Sequence, residues 1–146
     1  MESRNLYIIV EGETDAIVIS EALDYSKYSQ VRLLTLQRRD TMASYVRTIR
    51  LMSNETDKIV VVFDADTMDK NIVMEVITNM RRMSHAELMT ERIGFFACVP
   101  DLEGQFTIPK MPKSREQYLA YVRENMDAIK NNDIIKSINA FINTES

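Results

Sequence analysis

The sequence predicts an α/β fold, with a central, mostly parallel four-stranded sheet flanked by helices in a three-layer arrangement. Three observations predict it. Four short apolar runs alternate with segments whose apolar residues recur at helical spacing, the pattern of parallel strands joined by right-handed crossovers. One run, Ile59-Val60-Val61-Val62-Phe63, is apolar on both faces, as an interior strand of a parallel sheet is. Three of the four runs end in carboxylates, at the strand ends where open α/β sheets hold their ligands.

Leu6 to Val10 reads as the first strand. Glu11-Gly12-Glu13-Thr14-Asp15 follows as a turn, with Gly12 permitting a backbone geometry that a Cβ would resist. Thr14 is expected to cap a first helix over Ala16 to Leu23, with Asp15 favoured by the helix dipole. Val31 to Leu36 is the second strand, ending in Gln37, Arg38 and Arg39. Asp40 is the expected cap of a second helix, whose Met42, Tyr45, Val46, Ile49 and Met52 share one face.

Lys58 to Phe63 is the third strand and runs into Asp64-Ala65-Asp66; simple alternation places both aspartates on one side. A third helix is expected over Met68 to Met83, burying Ile72, Val73, Val76, Ile77, Met80 and Met83, with Asp69 in its first turn. A short capped helix near Ser84–Glu87 would leave His85 at the surface. Arg92 to Val99 is the fourth strand, stopped by Pro100, with Asp101-Leu102-Glu103-Gly104 as a turn. Two amphipathic helices close the chain. The first is capped by Ser114 in a capping box and shows Tyr118, Leu119 and Val122; the second is capped by Asp133. The ten methionines fall mostly on helix stripes, where they fill core.

A length of 146 residues fits one domain. No apolar run is long enough to span a membrane, and no signal peptide is evident. A single cysteine, Cys98, excludes an internal disulfide and a cysteine-rich zinc site; set among Phe95, Phe96 and Val99 it reads as a buried thiol, and a cytoplasmic location follows. A net charge of −4 argues against a non-specific nucleic-acid coat, though not against an enzyme that acts on nucleic acid.

In a parallel sheet the strand-end acids meet at one edge. The first strand brings Glu11 and Asp15, the third Asp64 and Asp66, the fourth Asp101 and Glu103. Two like charges about 4 Å apart cost on the order of 4 kcal/mol at an effective dielectric of 20. Several such pairs would consume much of a stability of roughly 5–15 kcal/mol, so the groups either splay into water or share a cation. Oxygen-only donors suit Mg²⁺ or Mn²⁺ rather than zinc, and such an ion serves phosphodiester chemistry.

Glu11-Gly-x-x-Asp15 after a first strand, with Asp64-x-Asp66 after a third, resembles the Toprim domain shared by topoisomerases, primases, recombination proteins and a group of nucleases. The resemblance covers about residues 5–110 of a single domain over 1–146, with C-terminal helices over 113–143. The absence of a glycine shortly after the aspartates, together with Pro100-Asp101-Leu102-Glu103, looks more like the stand-alone Toprim of OLD-family nucleases (overcoming lysogenization defect).

That resemblance implies an endonuclease using one or two Mg²⁺ or Mn²⁺ ions. Glu11, Asp64 and Asp66 would be the catalytic and metal residues, with Asp15, Asp101 and Glu103 completing the metal set. Arg38, Arg39 and Lys70 would hold substrate phosphates, with Lys110, Lys113 and Arg115 as a second basic patch. It further implies a DNA or RNA substrate and an ATPase partner, perforce a separate chain because no Gly-x-x-x-x-Gly-Lys loop occurs here. Phage defence is the implied setting, and a homo-oligomer stays open. The alternative is a catalytically idle Toprim scaffold in recombination or repair. A phosphoacceptor receiver domain shares the architecture, but Glu11-Gly12 and the Asp-x-Asp pair do not match its acidic pocket.

Overall fold

The computed structural model describes residues 4–108 and 114–144. The elements run β1 (Asn5–Val10), α1 (Glu13–Ala22), β2 (Gln30–Thr35), α2 (Arg39–Met52), β3 (Lys58–Asp64), α3 (Lys70–Met83) and β4 (Ile93–Cys98). After these come α4 (Leu102–Phe106), α5 (Arg115–Glu124), α6 (Met126–Lys130) and α7 (Asp133–Asn143). The sheet is four-stranded, wholly parallel and ordered β2-β1-β3-β4. β1 and β3 lie at its centre, and β3 is buried from Lys58 to Phe63, as its unbroken apolar run predicts.

Alternation along the strands divides the core in two. Leu6, Ile8, Val10, Val60 and Val62 face α1, α5, α6 and α7; Ile9, Ile59, Val61 and Phe63 face α2 and α3. The order reverses at β1. The chain leaves β1 for β2 on one side and returns through α2 to β3 on the other, so a crevice opens between the C-terminal ends of β1 and β3. Helix α5 lies along α1. Ion pairs Arg115–Glu13 (3.4 Å) and Arg123–Glu21 (3.1 Å) join the start and end of the two helices at one offset of 102 residues, so the helices run parallel.

Several local expectations are corrected. α1 starts at Glu13, capped by Gly12 rather than Thr14. Gly12 is extended, with φ −145°, so no special backbone is required of it; it supplies room, since a Cβ would stand 3.3 Å from Asp15 Oδ2. Arg38, not Asp40, is the cap residue of α2. Asn132, not Asp133, caps α7, accepting from Ile134 N, and the C-terminal region holds α6 besides the two expected helices. Ser114 caps α5 as expected. Asp69 precedes α3 and caps it through Asn71 N and Ile72 N, so the helix does not begin at Met68. The Asp101–Gly104 turn is the start of the short helix α4. Residues 84–87 form turns rather than a helix, with His85 exposed at φ 54°.

The largest departure concerns α3. Of its expected stripe only Met80 is buried; Ile72 is 45% and Met83 39% exposed. Met52, Met68 and Met74 are also exposed, so the methionines do not mainly fill the core. Met80 packs into the core with Met42 and Val46 of α2, whereas Ile72 and Met83 stand at the surface.

Candidate metal centre

The crevice between β1 and β3 brings Glu11 to the end of β3. Glu11 Oε1 accepts a hydrogen bond from Asp64 N at 3.1 Å, which joins the first and third strand ends directly. Asp64 Oδ1 accepts from Leu102 N at 3.0 Å, tying the third strand end to the start of α4. Asp15, in the first turn of α1, is 7% exposed, among the few buried charged groups. Asp101 spends Oδ1 on Gly104 N at 2.8 Å as the cap of α4, and Glu103 stands half-buried in the same turn.

Asp66 departs from the simple alternation. β3 ends at Asp64, and Asp66 adopts a left-handed φ of 59°, held by its N–H on Pro100 O at 2.7 Å. Aspartate tolerates that region better than most residues, yet it remains an uncommon conformation of the kind that collects at functional sites. The turn carries the Asp66 carboxylate to the start of α2. There Arg39 clasps the loop through Nη2, donating to Asp64 O at 2.6 Å, Ala65 O at 3.2 Å and Asp66 Oδ2 at 3.3 Å, with its guanidinium 5.7 Å from the Phe63 ring centroid.

Arg38 lies on the rim in an exposed pair with Asp40 (2.8 Å), and Lys70 is exposed at the start of α3. Arg115 pairs with Glu13 on the neighbouring helix; Lys110 and Lys113 lie outside the described residues.

The electrostatics of the cluster are those of buried, mutually repelling acids, relieved in part by Arg39. Burial, then the carboxylates of Asp15 and Glu11, push Asp64 up to about 7 against the weaker pull of the Leu102 amide. Asp15 rises to about 6, chiefly from burial, with a backbone hydrogen bond at Gly12 opposing and Glu11, Glu103 and Asp101 adding to the rise. Glu11 is raised by burial, opposed by its bond to Asp64 N. Cys98, 1% exposed beside these acids, has its thiol pushed far up by burial, which makes it inert as a nucleophile.

Among the described residues no three His, Cys, Asp or Glu groups are arranged closely enough to enclose a metal ion. The donors nevertheless fit a hard divalent cation. They are all oxygen, they repel one another in a partly dry crevice, and Mg²⁺ takes only one or two protein carboxylates and keeps its waters.

Two features were not visible in the sequence. The Arg39 clasp joins residues 25 to 27 positions apart, and its signal in the sequence was only a cation after a strand. Tyr118, on α5, is 4% exposed and its hydroxyl lies buried without a hydrogen-bond partner among the described residues. Burial, then Glu103 and Asp15, push that hydroxyl up to about 12; a helical stripe gave no hint of that environment.

With this geometry in place, comparison with known families gives one match: the Toprim domain, over residues 7–98. No curated protein and no solved structure was found to match the chain. Among the described residues no helix is long and apolar enough to cross a membrane.

Proposed function

We propose, since the chain belongs to the Toprim domain family, that it is a Mg²⁺- or Mn²⁺-dependent endonuclease. Toprim domains are nucleic-acid modules that typically bind divalent metals and are often nucleases or topoisomerase-related. The observation that carries the finer reading is the meeting of Glu11 with the end of β3 at the crevice where the strand order reverses.

In this reading Glu11, Asp64 and Asp66 hold one ion, and Asp15, Asp101 and Glu103 complete a second position. When bound, the ion supplies Lewis-acid activation of the phosphodiester and of the attacking water. Glu11 orients the water or takes its proton as general base. Water adds to phosphorus, one P–O bond breaks, and the leaving oxygen gains a proton. Arg38, Arg39 and Lys70 form a cationic rim toward the substrate phosphates, Arg39 while bracing the loop that carries Asp64 and Asp66.

The test is nicking of plasmid DNA and cleavage of structured RNA in Mg²⁺ or Mn²⁺. Wild type should cut; Glu11→Ala and Asp64→Asn should lose about 10²-fold or more, the scale of a general-base or metal-ligand loss. Equal cutting by wild type and Glu11→Ala would sink the reading.

The Asp101–Glu103 element supports an OLD-type effector that works in the cytoplasm with a separate ATPase, in phage defence. An ATPase gene beside this one, and co-purification of the two chains, are its checks. A second reading, an idle scaffold for recombination or repair proteins, is favoured by the lack of three enclosing ligands among the described residues. It predicts no cutting and no stabilisation by Mn²⁺.

A further inference from the structure

Helix α5 lies outside residues 7–98, the part of the chain that the Toprim family model matches, yet it packs along α1, whose first turn carries Asp15. Its placement follows from the parallel register with α1. The Arg115–Glu13 and Arg123–Glu21 pairs share an offset of 102 residues, and the same offset sets Tyr118 beside Ala16, next to Asp15. The Tyr118 ring is buried in the core shared by α1, α5 and the sheet. Its hydroxyl is sealed from solvent and has no hydrogen-bond partner among the described residues. A buried hydroxyl without an acceptor costs about 1–3 kcal/mol, so an acceptor within its reach gives a large gain. Two carboxylates lie nearby: Asp15 adjoins the α1 position that this register sets beside Tyr118, and Glu103 follows Leu102, which shares the Tyr118 core; both charges push the hydroxyl up.

We propose that Tyr118 is a positioning residue of the acidic site, its hydroxyl donating to the Asp15–Glu103 carboxylate pair when that pair turns to hold a divalent ion. The inference rests on the metal-dependent reading above. It gives α5 a role that packing alone does not require, since Phe would fill the same space. A donor fixed in the core spares Asp15 and Glu103 a search for orientation on each binding event. Hydrogen-bonded supports of this kind typically alter metal affinity 10- to 100-fold when removed.

The experiment uses the full chain with Mn²⁺ as the probe, read by the melting temperature across a Mn²⁺ titration and by the free Mn²⁺ spin-resonance signal. Tyr118→Phe should weaken Mn²⁺ binding about tenfold or more. Its melting temperature without metal should equal or exceed that of wild type, because the change removes an unpartnered hydroxyl. Tyr118→Phe combined with Glu103→Gln should lose less than the product of the two single effects, as coupled groups do.

Mn²⁺ binding by Tyr118→Phe within twofold of wild type, with Asp64→Asn impaired, overturns the inference and leaves the metal reading standing. A wild type that binds no Mn²⁺ overturns both. A fall of several degrees in the metal-free Tyr118→Phe protein shows that the hydroxyl already has a structural partner, and overturns the inference as well.

Discussion

Asp64 sits where two demands conflict. Its carboxylate is held by Leu102 N, which favours the charge, but burial and the neighbouring Asp15 and Glu11 oppose it more strongly. With Asp64 near 7 and Asp15 near 6, against an ordinary 3.8, the metal-free folded chain binds more protons than the unfolded chain between about pH 4 and 7. The stability these groups lend is complete below the unfolded value and is lost as pH rises through the folded value. Asp64→Asn keeps an oxygen for Leu102 N and removes the charge. In EDTA its melting temperature should therefore exceed that of wild type, and the gap should widen from pH 5 to pH 7.5, at about 2–4 °C per kcal/mol for a chain of this size. A constant gap across that range would contradict the conflict of charges. Arg39 poses the opposite case: one side chain holds two carbonyls and a carboxylate of the same loop. Arg39→Met should cost about 1–3 kcal/mol from the lost charged hydrogen bonds and impair Mn²⁺ binding together with stability, measured by urea titration and by Mn²⁺ titration.

Among the elements, α3 shows how far a helical pattern reaches. Ile72, Val73, Val76, Ile77, Met80 and Met83 form a continuous stripe, yet Met80 is wholly buried with Met42 and Val46 of α2 and Ile72 is not, because burial depends on the neighbour a position meets. Met80→Ala should cost about 2–5 kcal/mol and Ile72→Gln within about 0.5 kcal/mol in urea unfolding. At the opposite edge of the sheet, Lys58 is 2% exposed and donates to Phe141 O at 2.5 Å and Thr144 O at 2.7 Å, closing the C-terminal end of α7. Lys58→Met should leave those carbonyls unpaired and raise hydrogen exchange in α7 well before the rest of the fold. Strands were legible because each run is short, mostly apolar and bounded by polar or turn residues, and β3, the most β-branched of them, lies deepest. Glu11, Asp15, Asp64, Asp66, Asp101 and Glu103 could be placed at one edge for the same reason, since a parallel sheet gathers its C-terminal strand ends. The left-handed turn at Asp66, the Arg39 clasp and the Tyr118 hydroxyl were not legible, because each depends on segments that meet only in the folded chain. Caps at Gly12, Arg38 and Asn132 were misplaced by a few residues because several neighbouring polar residues could serve, and packing chose among them.

At the scale of the whole molecule, the net charge of −4 hides a strong division. Residues 38–52 and 69–83, which make α2 and α3 with their cap residues, hold seven of the 18 Lys and Arg but only three of the 22 acids, Asp40, Asp69 and Glu75. This layer therefore carries +4 and the remainder −8. A phosphate backbone is drawn to the first and repelled by the second, so the field itself selects the face from which nucleic acid approaches the crevice. Arg38 and Lys70 are exposed where that layer meets the site, and the Arg38–Asp40 pair is worth little to stability. Reversing both charges (Arg38→Glu with Lys70→Glu) should leave the urea midpoint nearly unchanged. Made in a Glu11→Ala background, the reversal should weaken nucleic-acid binding. It should also flatten the dependence of log K on log salt by about one for each phosphate that is no longer neutralised. The matched control reverses Lys130 and Lys136 on the opposite layer, which changes the net charge by the same amount. Equal losses from the two pairs would mean that total charge, not the α2–α3 face, governs the approach; a loss confined to Arg38 and Lys70 places the substrate path over that layer.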